Sequence, residues 1–166
     1  MTSCDPVERT FSLADADATV ALGALLGARL QPGQALALSG DLGAGKTCLT
    51  RGVARGLGVE DPDAVASPTY LLAVEHPGPV PMLHVDAYLP EKTRNFLLDG
   101  GVDYLDELSG VAVVEWAERV ADLLPTETLR VELRPDPSGR TGRIATVVGP
   151  AAFAWVADLV EFPDES

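Results

Sequence analysis

The sequence predicts an α/β protein whose mainly parallel sheet carries helices on both faces and antiparallel edge strands. Three observations lead there. Short apolar runs bounded by turn residues alternate with segments of helical period. One of those runs leads directly into a glycine-rich stretch that opens a helix, and two further pairs of runs are joined through turn-forming residues, as hairpins are. A sheet of this kind binds ligands at the carboxyl tips of its strands.

Along the chain, Asp15 to Leu30 places Val20, Leu22, Leu25, Leu26 and Leu30 at helical spacing, and Gln31-Pro32-Gly33 stops that helix, the first long element. Ala35 to Leu38 reads as a buried strand entering Gly40 to Gly45, after which Leu49, Val53 and Leu57 recur at helical spacing up to Gly58. Tyr70 to Val74 and Pro81 to Tyr88 are extended segments separated by Pro77-Gly78-Pro79. Leu97 to Leu108 reads as short helical pieces interrupted at Gly100-Gly101, and Val111 to Val114 as a buried strand followed by a short helix ending near Pro125. Leu129 to Leu133 and Ile144 to Val148 are strands around the turn Asp136-Pro137-Ser138-Gly139, and a terminal helix is expected over Ala151 to Val160.

With 166 residues, 46% of them hydrophobic, one domain over residues 1–166 is expected, with loose ends at 1–8 and 162–166. Twelve basic against 25 acidic side chains give a net charge near −13, which opposes unaided binding to a nucleic-acid backbone and is also what a well-solvated surface looks like. Cys4 and Cys48 support neither a disulfide framework nor a zinc site, and His76 and His84 are the only histidines. The N-terminal residues show no basic segment followed by an apolar core, and no apolar run approaches the ~20 residues that span a bilayer, so a cytoplasmic protein is expected.

The chemistry concentrates in Gly40-Asp41-Leu42-Gly43-Ala44-Gly45-Lys46-Thr47, which matches G-x-x-x-x-G-K-[ST] between a strand and a helix. Glycines let successive N–H groups turn toward phosphates, and the helix N-terminus adds a favourable dipole. Lys46 reaches the outer phosphates and Thr47 offers a hydroxyl to Mg²⁺. Of the twelve basic residues only Lys46 and Lys92 are lysines, so a generic positive charge at this position would more often be arginine. The fold expected is therefore P-loop NTPase-like.

Such a loop needs a carboxylate at a neighbouring strand tip for the metal and a group that orients the attacking water. Glu115 closes the run Val111 to Val114, and Asp86 shares one face of an extended segment with His84 and Tyr88. The plainer readings are a strand-end carboxylate meeting solvent and a solvated strand face. Ser67-Pro68-Thr69-Tyr70 is a polar turn in which a hydroxyl could sense a γ-phosphate. Trp116 reads as core or interface.

In order and spacing, the glycine-rich motif, Ser67-Pro68-Thr69-Tyr70, His84-Val85-Asp86-Ala87-Tyr88 and Val114-Glu115-Trp116 resemble the TsaE family, from about Thr10 to about Val148. The resemblance implies a slow ATPase that binds ATP and Mg²⁺ and works with TsaB and TsaD. Its role would lie in forming threonylcarbamoyladenosine at position 37 of tRNAs that read codons beginning with adenosine, with tRNA held only through the complex. It further implies that Gly43, Ala44, Gly45, Lys46, Thr47, Cys48, Thr69 and Gly139 (with Arg140) lie at the nucleotide. Thr47, Asp86 and Glu115 would serve the metal, and Lys46, Glu115 and Asp86 catalysis. Two positions depart from the family pattern: Cys48 replaces a second hydroxyl residue after Lys-Thr, and Leu89 replaces an arginine after Asp-x-Tyr, for which Arg94 is the nearest substitute.

Other functions share the same cradle. A small-molecule kinase would close an arginine-bearing lid built from Arg134, Arg140 and Arg143, and a nucleotide-gated binding module would use the bound state alone. A GTPase is disfavoured, since guanine recognition in that class uses Asn-Lys-x-Asp and the only asparagine, Asn95, precedes Phe96.

Overall fold

A computed structural model describes residues 5–101, 103, 107 and 109–160. Seven strands form one sheet in the order β1-β7-β6-β2-β5-β4-β3. The strands are β1 (Val7–Leu13), β2 (Ala35–Ser39), β3 (Ala73–His76), β4 (Met82–Asp86), β5 (Val111–Glu115), β6 (Thr128–Pro135) and β7 (Arg143–Gly149). The four central strands β6, β2, β5 and β4 are mutually parallel, while β3 and the pair β7 and β1 join antiparallel at the two edges. Half of the six pairings are thus antiparallel, and the parallel part is confined to the centre.

The central strands read as continuous apolar runs because both of their faces are covered. Leu36 and Leu38 of β2 face α1 (Ala16–Gly27) and α2 (Lys46–Leu57), whose Leu22, Leu26, Leu49 and Val53 complete the larger core. Ala35 and Ala37 face the opposite way, into a smaller core with Leu83, Val85, Val114, Leu97 and Val120. That second face is covered by α3 (Pro90–Phe96) and by 3₁₀ turns at Ala117–Arg119 and Ala121–Leu123. The cover ends at β6, where Arg130, Glu132 and Arg134 are exposed.

Several elements differ from the sequence reading. A strand, β1, precedes the first helix, so Val7 and Glu8 belong to the sheet and not to a loose end. Tyr70 and Leu71 lie in a turn, and the hairpin strand starts only at Ala73. The helix expected before Pro125 and the one expected at Ala151–Val160 are 3₁₀ turns, the latter over Ala151–Asp158. In the stretch Leu97 to Leu108, Leu97–Gly101 forms a wide turn kinked at Asp99 and Gly100; residues 102, 104–106 and 108 lie outside the described ones, as do 1–4 and 161–166. Among the described residues no helix is long and apolar enough to cross a membrane.

α1 and α2 pack with almost no side-chain layer between them. A Cβ placed on Gly23 or Gly27 of α1 would stand 2.2 or 2.3 Å from the carbonyl oxygen of Leu49 or Val53. One placed on Gly52 or Gly56 of α2 would meet the carbonyl oxygens of Val20 and Ala24 at 2.1 and 2.2 Å. Asp15 caps α1 by accepting from the Ala18 amide at 2.8 Å. α2 begins at Gly45 with no side-chain cap, and φ is +105° there and +78° at Gly43, conformations that favour glycine.

Candidate functional site

Three strand tips and the start of α2 enclose a cleft of about 480 Å³, lined by Leu42, Gly43, Gly45, Lys46, Thr47, Cys48, Ser67, Thr69, Asp86, Tyr88, Glu115 and Trp116. The register explains the convergence. Glu115 on β5 stands directly opposite Leu38 on β2 and Asp86 on β4, so both carboxylates fall beside the glycine-rich loop that leaves β2. Neither carboxylate meets solvent: Asp86 is 1% and Glu115 3% exposed.

On the loop side, the buried Lys46 donates from Nζ to the carbonyls of Gly40 at 2.6 Å and Asp41 at 2.9 Å. The same ammonium lies 4.0 Å from the centre of the Trp116 ring. Burial lowers the lysine pKa from its usual value, and the opposing charges of Glu115, Glu118, Asp86 and Asp41 work against that shift. Thr47 donates its hydroxyl to Glu115, 3.1 Å from Oε1 and 3.3 Å from Oε2. Behind the carboxylate, Nε2 of His84 donates to Oε1 at 2.8 Å.

Asp86 serves the opposite side of the cleft. Its Oδ2 accepts from the hydroxyls of Ser67 and Thr69, the latter at 3.0 Å, and its Oδ1 accepts from the Tyr88 amide at 2.8 Å. The carboxylate therefore ties the Ser67–Thr69 loop to the sheet. Trp116, the residue after Glu115, takes a left-handed backbone conformation at φ +56°, which is costly for a bulky residue. That turn sets its ring against Lys46 and Tyr88, the latter at 5.3 Å between centroids, with Arg119 bracketing both rings.

Of the residues singled out in the sequence, Gly43, Gly45, Lys46, Thr47, Cys48, Thr69, Asp86 and Glu115 line this cleft. Ala44 is buried beneath it, and Gly139 sits in the exposed β6–β7 turn, outside the lining. The arginine that reaches the glycine-rich loop is Arg143, which donates from Nε to Ala44 O at 3.1 Å and from Nη2 to Gly43 O at 3.2 Å. Arg134 and Arg143 lie in strands, and Arg140 lies in the exposed turn between them. Arg94 is turned away from the cleft, paired with Asp122 at 2.8 Å. His84, Trp116 and Arg143 thus join the site by contacts; the sequence places His84 on the face of Asp86, Trp116 in core or interface beside Glu115, and Arg143 among the arginines of a lid.

The donor set suits a phosphate with a hard cation. An uncapped helix start and a positive-φ glycine loop offer N–H groups to an anion, a buried ammonium stands beside them, and a hydroxyl–carboxylate pair offers only oxygens. Among the described residues no group of three or more His, Cys, Asp or Glu side chains could hold a metal ion by itself.

Comparison with known proteins gives the family. The family model "Threonylcarbamoyl adenosine biosynthesis protein TsaE" matches residues 13–143. The chain is 40% identical over 152 residues to the tRNA threonylcarbamoyladenosine biosynthesis protein TsaE of Mycobacterium tuberculosis, covering 82% of this chain and 84% of that one. It is 42% identical over 123 residues to the TsaE protein of Streptomyces coelicolor, covering 68% and 76% of the two chains. Among solved structures it resembles Bacillus subtilis YdiB with a TM-score of 0.68 and 29% identity, over 89% of this chain and 88% of that one. With the motif, the cleft and these likenesses in agreement, the chain belongs to the TsaE family of tRNA threonylcarbamoyladenosine biosynthesis proteins.

Proposed function

We propose that this chain is a P-loop protein that binds ATP with Mg²⁺ in the cleft and hydrolyses it slowly by itself. In this role it acts as an accessory to TsaB and TsaD in forming threonylcarbamoyladenosine at position 37 of tRNA. The observation that supports this most directly is the grouping of Lys46, Thr47 and Glu115 at the uncapped start of α2.

In this reading the amides of Gly43 to Thr47 bind the phosphate chain, and Lys46 leaves the carbonyls of Gly40 and Asp41 for the outer phosphate oxygens. Its amine stays buried in the process, so the charge is strong where it acts. Thr47 and Glu115, with Asp86 close by, would hold Mg²⁺, which when bound would offset the charge that builds on the transferring phosphoryl group. Glu115 also orients the attacking water. Cys48 offers a weaker donor than a hydroxyl, which leaves phosphate contact at that position mainly to its backbone amide. The acidic surface suits a protein that meets tRNA only through its partners.

The test is calorimetric titration of ATP and of GTP, each with Mg²⁺, into the wild type and Lys46→Ala, with and without TsaB and TsaD. ATP-selective binding that disappears in Lys46→Ala and tightens with the two proteins is the expected result. Unchanged affinity in Lys46→Ala defeats the site, and binding indifferent to TsaB and TsaD defeats the partnership while leaving the site.

A further inference from the structure

We propose that His84 is a positioning residue for Glu115, holding the carboxylate at Thr47 so that the two present a preset oxygen pair to a divalent cation. The inference rests on the cleft being a nucleotide and Mg²⁺ site.

His84 lies in the middle of β4, between Leu83 and Val85, and its ring is fully buried. An imidazole in an apolar core is costly unless its polar atoms are used. The ring makes one hydrogen bond among the described residues, from Nε2 to Oε1 of Glu115, and its Nδ1 has no partner. The ring of His76 is 6.3 Å away between centroids. The geometry therefore gives this imidazole a single directed contact, and that contact falls on the carboxylate beside Thr47.

The consequence for Glu115 follows from counting acceptors. Oε1 takes both Nε2 of His84 and the nearer contact from Thr47, which leaves Oε2 with the spare lone pairs. A glutamate has three side-chain torsions, and a bond from Thr47 alone would leave the carboxylate free to turn about the hydroxyl. The second bond, from a ring locked between packed strands, removes that freedom before any ligand arrives.

Two variants with the same polarity and different reach test this. The amide nitrogen of His84→Gln extends to about where Nε2 sits, whereas that of His84→Asn stops near Nδ1. Nucleotide affinity is measured for both and for the wild type, once in chelator and once with Mg²⁺. Chelator affinities should be alike in all three. The gain from Mg²⁺ should fall roughly tenfold in His84→Asn and return in His84→Gln.

Equal Mg²⁺ gains in all three proteins overturn the proposal, as does a loss in His84→Gln as large as in His84→Asn. A wild type with no Mg²⁺ gain defeats the metal part of the proposed function instead, and one with no nucleotide affinity in either condition defeats the nucleotide part. A measurement without variants covers the case in which His84→Asn does not fold: in histidine ¹⁵N-labelled wild type, the tautomer with the proton on Nε2 is expected, and a proton on Nδ1 with Nε2 bare overturns the proposal.

Discussion

The two walls of the cleft are built by different means. On the loop side, α2 is set against α1 through four glycines whose missing side chains let backbone touch backbone. On the other side, the Ser67–Thr69 loop is tied to the sheet by hydrogen bonds to one carboxylate, Asp86, and the residues that follow it, Tyr70 and Leu71, are 95% and 73% exposed. Close packing has no soft direction, while a few hydrogen bonds can open one at a time. The loop side is therefore fixed, and the opposite side can adjust to whatever covers the cleft.

The largest expected effect comes from forcing the fixed wall. Gly52→Leu must separate α1 from α2, and a loss of more than about 4 kcal/mol or of cooperative unfolding in urea is expected. A variant that melts within a few degrees of the wild type would show that the two helices have slack, and the contrast would fail. Next comes the adjustable wall. Asp86→Ala leaves two hydroxyls and the Tyr88 amide without their acceptor, at a cost of about 1–3 kcal/mol. Faster protease cleavage near Tyr70 should accompany it, while amide exchange in α2 stays as slow as in the wild type. Equal loosening of both walls would erase the distinction.

The smallest effect belongs to an exposed ion pair outside both walls. The carboxyl of Asp122 is lowered to about 2 by its hydrogen bonds and charge pairing with Arg94, from an ordinary 3.8. A depressed carboxyl contributes stability above its unfolded value and loses it as pH falls through the folded one. The small gap in melting temperature between wild type and Asp122→Asn should thus hold at pH 5 and above and close between about pH 4 and pH 2. A gap independent of pH would remove the ion pair from the account.

What could be read in advance followed the range of the interactions. The strand, glycine loop and helix from Ala35 to Leu57 are local, each signalled by its own spacing and turn residues, and they stand where the sequence put them. β1 was missed because its partner, β7, lies far along the chain, and because only Phe11 and Leu13 of its seven residues are buried. α3 is seven residues with six polar or proline positions, and no apolar period can show in it. For the site, residue types marked Lys46, Thr47, Asp86 and Glu115 from the sequence. Arg143 reads only as an arginine of a lid, since nothing in its own position says that its guanidinium meets the Gly43 and Ala44 carbonyls. The solvated-face alternative for His84 and Asp86 failed because α2 lies over that face, a fact of packing and not of period.

The ring of Trp116 beside the Lys46 ammonium gives the molecule an optical readout of its own. The chain has only two tryptophans, and the other, Trp155, packs against Phe153 in the terminal 3₁₀ turns. An ammonium on an indole face perturbs its emission, so a ligand that draws Lys46 away from the ring changes the light from one fluorophore and spares the other. The arrival of a ligand in the cleft can then be timed in unlabelled protein, with Trp155 as the internal standard.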